Sequence, residues 1–357
     1  MRVLITGNAG YVGPVAVAHL KETHPDWTLE GFDAGFFARS LSQPTAAPEE
    51  LLDRQYWGDL RDESSVPLEG VDAVIHLAGL SNDPMGDRFT ELTEEINVRS
   101  TEALIQRAQR AGVRSFVFAS SCSMYGATSG DARTEDDELN PLTPYARSKV
   151  AIEERLRASA GPSFSVTCLR FATACGASPR LRLDLVLNDF VATALSTGTV
   201  VVLSDGTPWR PLIDVKDMAR AIDWSLTTRD ELGETFVAIN TGSDEWNYQV
   251  RDLACHVADC IPGTNVELST EAPSDARSYR VDFSLFRDLA PEHQPMVAIK
   301  ESINRLVQHM QSGGDSFDWS RTGRFNRLHE LQRLQDAGAL DENLRWTDTE
   351  QGPALSR

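Results

Sequence analysis

Short apolar runs alternate with amphipathic stretches through the first half of the chain. Val3–Ile5, Leu29–Phe32, Ala73–Leu77, Phe116–Ala119 and Ser165–Leu169 read as buried strands, with helical patterns between them. That alternation argues for a parallel sheet covered by helices on both faces. Helical spacing is clearest in INVRSTEALIQRAQRAG, where Ile96, Ala103, Leu104, Ala108 and Ala111 share a face and Gly112 takes the C-terminal cap position. This segment reads as a crossover helix.

Beyond residue 170 the rhythm becomes mixed. Helices are predicted near Leu183–Leu195, Val215–Leu226 and Val250–Cys260, with a strand at Val200–Leu203. The expected architecture is α/β: a doubly wound parallel sheet over residues 1–172, and a smaller mixed α/β lobe over 173–320, of which 205–242 partly return to the first domain. Residues 321–357 are expected to form a helical tail, in which Leu328, Leu331 and Leu334 mark a packing stripe.

Composition narrows the function classes. The 357 residues carry 53 acidic and 34 basic side chains, a net charge of -19, so the overall field opposes nucleic acid and anionic membranes. Any anionic ligand then depends on local arginines. The five cysteines form no CxxC pair, no structural zinc site is expected, and the chain opens directly on a strand, which predicts a reduced cytoplasmic protein. Leu185–Ser204 is interrupted by Asn188, Asp189 and Gly198 and is not expected to span a membrane. The acidic run TEDDEL at 134–139 reads as a solvated loop.

The chemistry starts at TGNAGYVG, residues 6–13, directly after the first strand. Its glycines permit either a tight turn or a close approach of backbone to phosphate. A strand before, a helix after and Asp33 at the end of the next strand favour a Rossmann-type nucleotide turn: amides at the helix N-terminus face a pyrophosphate, and the carboxylate accepts from ribose hydroxyls. Downstream, Tyr145 and Lys149 in YARSK stand four apart, on one helical face. The ammonium is expected to lower the phenol from its ordinary value near 10 and make it a usable base. Ser121, at the end of a strand, is placed to hydrogen-bond the same substrate oxygen. His76 reads as a packed strand-end residue and Cys122 as a small buried one. Arg180 and Arg182 read equally well as surface charges or as phosphate or sugar contacts.

In these residues the sequence resembles the extended short-chain dehydrogenase/reductases, and within them the NAD-dependent epimerase/dehydratase group that acts on nucleotide sugars. The resemblance spans Met1 to about Met310 and is carried by TGNAGYVG, Asp33, GDLRD at 58–62, HLAG at 76–79, NVRST at 97–101, SSCSMYG, YARSK and WRPLIDVKDMARA at 209–221. It implies an NAD site made by Gly7, Asn8, Ala9, Gly10, Tyr11, Val12, Gly13, Asp33, Asp59, Leu60, Leu77, Ala78, Gly79, Asn97, Ala119, Tyr145 and Lys149. Within it, Asp59 and Leu60 flank adenine and Asn97 supports the nicotinamide side. Ser121, Tyr145 and Lys149 match the catalytic positions. Contacts to a nucleotide-sugar substrate are expected from Ser81, Ser121, Ser123, Thr173, Arg180, Arg182, Arg210 and Arg277. The resemblance also implies a homodimer through the helix at 90–111 and the one beginning near Tyr145.

The sequence departs from its relatives in informative places. Dehydratases of this group place an Asp-Glu pair after the catalytic Ser or Thr, where this chain has Cys122 and Ser123, so dehydration is disfavoured. The leading reading is an NAD-dependent nucleotide-sugar epimerase working by transient hydride transfer, with Tyr145 as acid and base. The alternative is a 4-ketoreductase that consumes NADH or NADPH, and a third class is a non-catalytic dinucleotide sensor. In 4-epimerases an Asn stands where this chain has Thr173, and a later Arg where it has Ala272, for which Arg277 and Arg280 are substitutes.

Asp33 generates a direct prediction: NAD binds more tightly than NADP, because the carboxylate accepts from a 2'-hydroxyl and repels a 2'-phosphate. Calorimetric titration of both dinucleotides checks it, and equal or tighter NADP binding refutes it.

Overall fold

The strands expected in the first half all form, and they pair in parallel. The computed structural model describes residues 1–43, 47–127, 130–228, 232–269, 278–312 and 323–347. From the N-terminus run β1 (Arg2–Thr6), α1 (Gly13–Thr23), β2 (Thr28–Asp33), β3 (Arg54–Trp57) and β4 (Ala73–His76). Then come α2 (Asp83–Arg88), α3 (Thr90–Thr93), a π-helical turn (Glu94–Arg99), α4 (Ser100–Arg110), β5 (Ser115–Ser121), α5 (Pro144–Ser159) and β6 (Ser165–Phe171). After β7 (Thr173–Cys175), α6 (Val186–Thr197), β8 (Thr199–Val202), β9 (Trp209–Asp214) and α7 (Val215–Thr227), the strand β10 (Phe236–Thr241) returns to the central sheet. Its order is β10-β6-β5-β4-β1-β2-β3, seven strands with every pairing parallel. Strand order reverses between β1 and β4, and the loops at the carboxyl ends open there into a crevice, as expected of a doubly wound sheet.

Apolar side chains cover both faces. Val17 and Leu20 of α1 meet Ile222 and Trp224 of α7 on one side, while Leu104 and Ile105 of α4 and Ile152 and Leu156 of α5 fill the other. On the solvent side of the α1–α7 contact, His19 and His24 both reach Asp223, at 3.0 and 2.7 Å. The strands missed by periodicity have physical reasons. β3 is an edge strand, half-buried, and its sequence RQYW shows no apolar run. In α4 the buried set is Ser100, Thr101, Leu104, Ile105 and Ala108, while Ala111 is exposed and Ile96 packs elsewhere. The π-helical turn inserts extra backbone ahead of α4 and breaks the single 3.6-residue period that joined Ile96 to the later positions.

The second lobe is built from β9, flanked by β7 and β11 (Asn247–Gln249), and from the parallel pair of β8 with β12 (Asn265–Leu268). Three helices pack on them: α6, α8 (Val250–Cys260) and, after α9 (Ser284–Leu289), α10 (Ile299–Gln311). Their core contains Leu187, Val191, Leu253, Val257, Ile303 and Leu306. Finally α11 (Arg327–Asp336) buries Leu331 and Leu334 against Leu80, Met85 and Phe89, so the stripe of the tail packs on its own protomer. Among the described residues no helix is long and apolar enough to cross a membrane, and no cluster of three His, Cys, Asp or Glu is placed to hold a metal.

His76 is a core residue of this sheet. Its Nδ1 lies 2.6 Å from the Thr6 hydroxyl and its Nε2 2.9 Å from that of Thr101, and burial pulls its pKa from 6.5 down to about 3. The unfolded chain therefore binds a proton here that the folded chain refuses, so stability is fully present above pH 6.5 and declines as pH falls toward 3. His76→Gln is expected to remove that slope. Urea denaturation of both proteins between pH 7 and pH 4 should show their stability difference shrinking with acid, and a constant difference refutes it.

Candidate active site

The glycine loop is held by close backbone approach. Gly7 has φ +78°, and a Cβ there would stand 2.5 Å from the Ala78 nitrogen; a Cβ on Gly13 would stand 2.3 Å from the Asn8 carbonyl. These two glycines let β1 turn into α1 directly against the loop after β4. Gly10 lines the crevice and no side chain caps the N-terminus of α1, so the start of the helix fits a phosphate group. Tyr11 and Val12 also line the crevice, whereas Asn8 is buried with its amide on Gln55. Ala9 donates its N–H to Asp33 at 3.0 Å, and Gly35 donates to the other carboxylate oxygen at 2.7 Å. Asp33 is thus oriented at the crevice wall, with burial raising its pKa against these two bonds.

Asp59, Leu60, Leu77, Ala78, Gly79 and Ala119 continue the lining. The Asp59 carboxylate is taken up by Arg61, whose Nε lies 3.0 Å from both of its oxygens. Asn97 does not line the crevice. It accepts from the Leu80 nitrogen at 2.8 Å and donates to the Leu80 carbonyl at 2.9 Å, so it braces the loop that carries Gly79 and Ser81.

Ser121, Tyr145 and Lys149 come together on the opposite side of the crevice, from the end of β5 and the first two turns of α5. Thr143 caps α5 by accepting from the Ala146 nitrogen, which fixes the helix start just before the tyrosine. Ser121 donates to the Ser123 hydroxyl at 2.9 Å and favours the ionised form of the phenol. The electrostatics differ from the expectation. Burial pushes Tyr145 up to about 12, with Ser121 pulling it partly back, and Lys149 does not lower it. The ammonium donates instead to the Ala119 carbonyl at 2.7 Å and lies 5.5 Å from the centre of the Tyr145 ring, and burial brings its pKa down to about 8. Four residues of helix place the two side chains on one face, but the lysine is drawn toward β5. Cys122 is buried, donates to the Arg170 carbonyl, and has its thiol pKa raised by burial.

The substrate candidates divide. Ser81, Ser123, Thr173, Arg182 and Arg210 line the crevice. Arg182 is fixed to Asp184 by two bonds of 3.0 and 2.9 Å and donates to Ser81. Arg180 is neither a surface charge nor part of the lining: it is buried, 2.7 Å from Glu49, and donates to the Phe37 and Ala38 carbonyls. Arg277 lies outside the described residues. Sequence reasoning missed Arg327, which reaches the crevice from α11, and Asp189, whose carboxyl burial raises to about 6. No local signal marks either residue, since both arrive by long-range packing.

Behind Ser121 lies a buried polar network. Glu153 accepts from Ser120 at 2.5 Å and pairs with Arg170 at 2.8 and 3.1 Å, and Arg170 donates in turn to Tyr125, which donates to Asn240. It connects β5, α5, β6 and β10 directly beneath the three residues.

Residues 3–239 match the family model of the NAD dependent epimerase/dehydratase family. The chain is 31% identical to the UDP-glucose 4-epimerase of Erwinia amylovora over 80% of its own length and 90% of that protein. It is 26% identical to the mouse dTDP-D-glucose 4,6-dehydratase over 86% and 88%. Among solved structures it resembles MoeE5 in complex with UDP-glucose and NAD, at TM-score 0.73 and 26% identity, covering 87% of this chain and 99% of that one.

The network beneath the site yields a stability prediction. Glu153→Gln leaves the Arg170 guanidinium buried without its counter-charge, and removing one partner of a buried pair costs about 3–5 kcal/mol. Urea denaturation at neutral pH measures the loss, and a change under about 1 kcal/mol, the range of exposed pairs, refutes the assigned role.

Proposed function

Because the chain belongs to the NAD-dependent epimerase/dehydratase family, we propose that it is a nucleotide-sugar epimerase in which Tyr145 carries the proton chemistry. The supporting observation is the meeting of Ser121, Tyr145 and Lys149 on one crevice wall, with Cys122 and Ser123 in place of carboxylates beside them. A dehydratase needs an acid and a base to remove water from the sugar, and this loop supplies neither.

NAD, the family's cofactor, supplies a reversible hydride acceptor when bound. Gly7, Gly10, Val12, Asp33, Ala78 and Gly79 would hold it. In this reading Tyr145 acts from its phenolate form, taking the proton of a sugar hydroxyl as the carbon is oxidised and returning it when the sugar is reduced from its other face. Ser121 holds the same oxygen in line. Lys149 stands beside the phenol ring with its ammonium on the Ala119 carbonyl. Arg182, Arg210 and Thr173 face the substrate end, so residues 1–172 bind the dinucleotide and 173–320 bind the nucleotide sugar. The reading includes a homodimer through α4 and α5. Leu104 and Ala108 are buried within the protomer, so that interface uses the polar outer faces, where Glu102 meets Arg155.

The protonated phenol also supports a second reading, a 4-ketoreductase in which Tyr145 donates its proton to a keto sugar. Incubation with a panel of nucleotide sugars separates the two: the epimerase interconverts sugars with no net change in dinucleotide absorbance, whereas the reductase consumes NADH.

Tyr145→Phe is expected to lower turnover by about 10²- to 10⁴-fold, the range of general acid–base catalysis, while NAD binding stays nearly intact. Ser121→Ala is expected to be milder. Retention of more than about a tenth of wild-type activity in Tyr145→Phe, short of that range, would remove the tyrosine from the mechanism.

A further inference from the structure

Three arginines gather where the C-terminal segment meets the crevice, and they are not equally satisfied. Arg180 is paired with Glu49 and Arg182 with Asp184. Arg327 is 2% exposed and lines the crevice. It lies over the Phe37 ring at 4.4 Å, and its Nη2 donates to the Arg180 carbonyl at 2.9 Å. Its Nη1 is buried with no hydrogen-bond partner. Glu330, the acid one turn along α11, is engaged by Arg333 through two bonds of 2.8 Å. The cluster therefore holds one buried cation beyond its local counter-charges, an arrangement that is costly unless an anion completes it.

We propose that Arg327 is a dinucleotide-binding residue, its unpartnered Nη1 donating to a diphosphate oxygen of the bound cofactor. The inference rests on reading the crevice as an NAD site and not on the epimerase reaction. Its position selects the ligand. Phe37, under the guanidinium, follows β2 and Asp33, on the wall assigned to the dinucleotide. The same C-terminal segment grips that wall again: Trp346 donates its indole N–H to the Ala34 carbonyl at 2.6 Å, and Arg61, the partner of Asp59, donates to the Asn343 and Leu344 carbonyls at 2.6 and 3.1 Å. A planar guanidinium presents two parallel N–H groups, which suits a diphosphate. Burial and the neighbouring Arg182 bring the guanidinium pKa down to about 9, consistent with a charge awaiting a partner.

The test is binding by the full chain, without turnover. Calorimetry uses NAD, ADP-ribose, adenosine and UDP as probes on the wild type, Arg327→Met and Arg327→Lys. The expected result is that Arg327→Met weakens NAD and ADP-ribose by about tenfold or more, as for loss of a charged hydrogen bond. Adenosine and UDP bind as before, and Arg327→Lys recovers part of the loss. The ligand-free melting temperature of Arg327→Met should not fall, because the variant removes an uncompensated buried charge, while its rise on adding NAD should shrink. Unchanged ADP-ribose affinity overturns the proposal, and so does an equal loss for adenosine, which marks a structural role. Loss confined to UDP also overturns it by moving the arginine to the sugar nucleotide's diphosphate. A wild type that binds none of the adenine probes overturns the cofactor reading underneath.

Discussion

The ion pair between Glu153 and Arg170 is the constraint on which the rest of the site depends. Both groups are buried, so each has lost its hydration, and their attraction offsets that loss only because the geometry is bidentate and the remaining positions are filled by Ser120 and Tyr125. The pair fixes α5 against β5 and β6. Side chains alternate along a strand, so the bond that holds Ser120 inward turns Ser121 toward the crevice. One turn along α5 from Glu153, Lys149 is held on the same face and reaches the Ala119 carbonyl.

Electrostatics work locally and against the global charge. A net charge of -19 disfavours anions near the surface, yet the crevice gathers Arg182, Arg210 and Arg327. Burial sets their meaning. Arg182 beside Asp184 is a braced, nearly neutral pair, while Arg327 is left in excess. The same burial keeps Tyr145 protonated and weakens the charge on Lys149, so their surroundings set both groups more than mutual attraction does.

The C-terminal segment joins these themes. Its apolar stripe packs on Leu80, Met85 and Phe89, residues that follow the glycine after β4, so the segment buttresses the loop that Asn97 also braces. Through Trp346 and Arg61 it is tied to the ends of β2 and β3. A stretch that looks like an appendage along the chain thus becomes part of the wall of the crevice.

The sequence by itself determined the parallel sheet, the glycine turn and the trio Ser121, Tyr145 and Lys149. These depend on local periodicity, on backbone freedom at Gly7 and Gly13, and on fixed spacing within a helix. It also identified the packing stripe of the tail. What it left open depended on contacts between distant residues. Arg180 and Arg182 are two positions apart with similar neighbours, yet one pairs with Glu49 away from the crevice and the other with Asp184 at its wall. The lysine that spacing set beside the phenol was drawn to the Ala119 carbonyl, and desolvation, which no local pattern encodes, moved both pKa values. Arg327 entered the site only because α11 folds back across the molecule. Chain connectivity states which side chains are available, whereas burial and counter-charge, which decide what each one does, are properties of the packed whole.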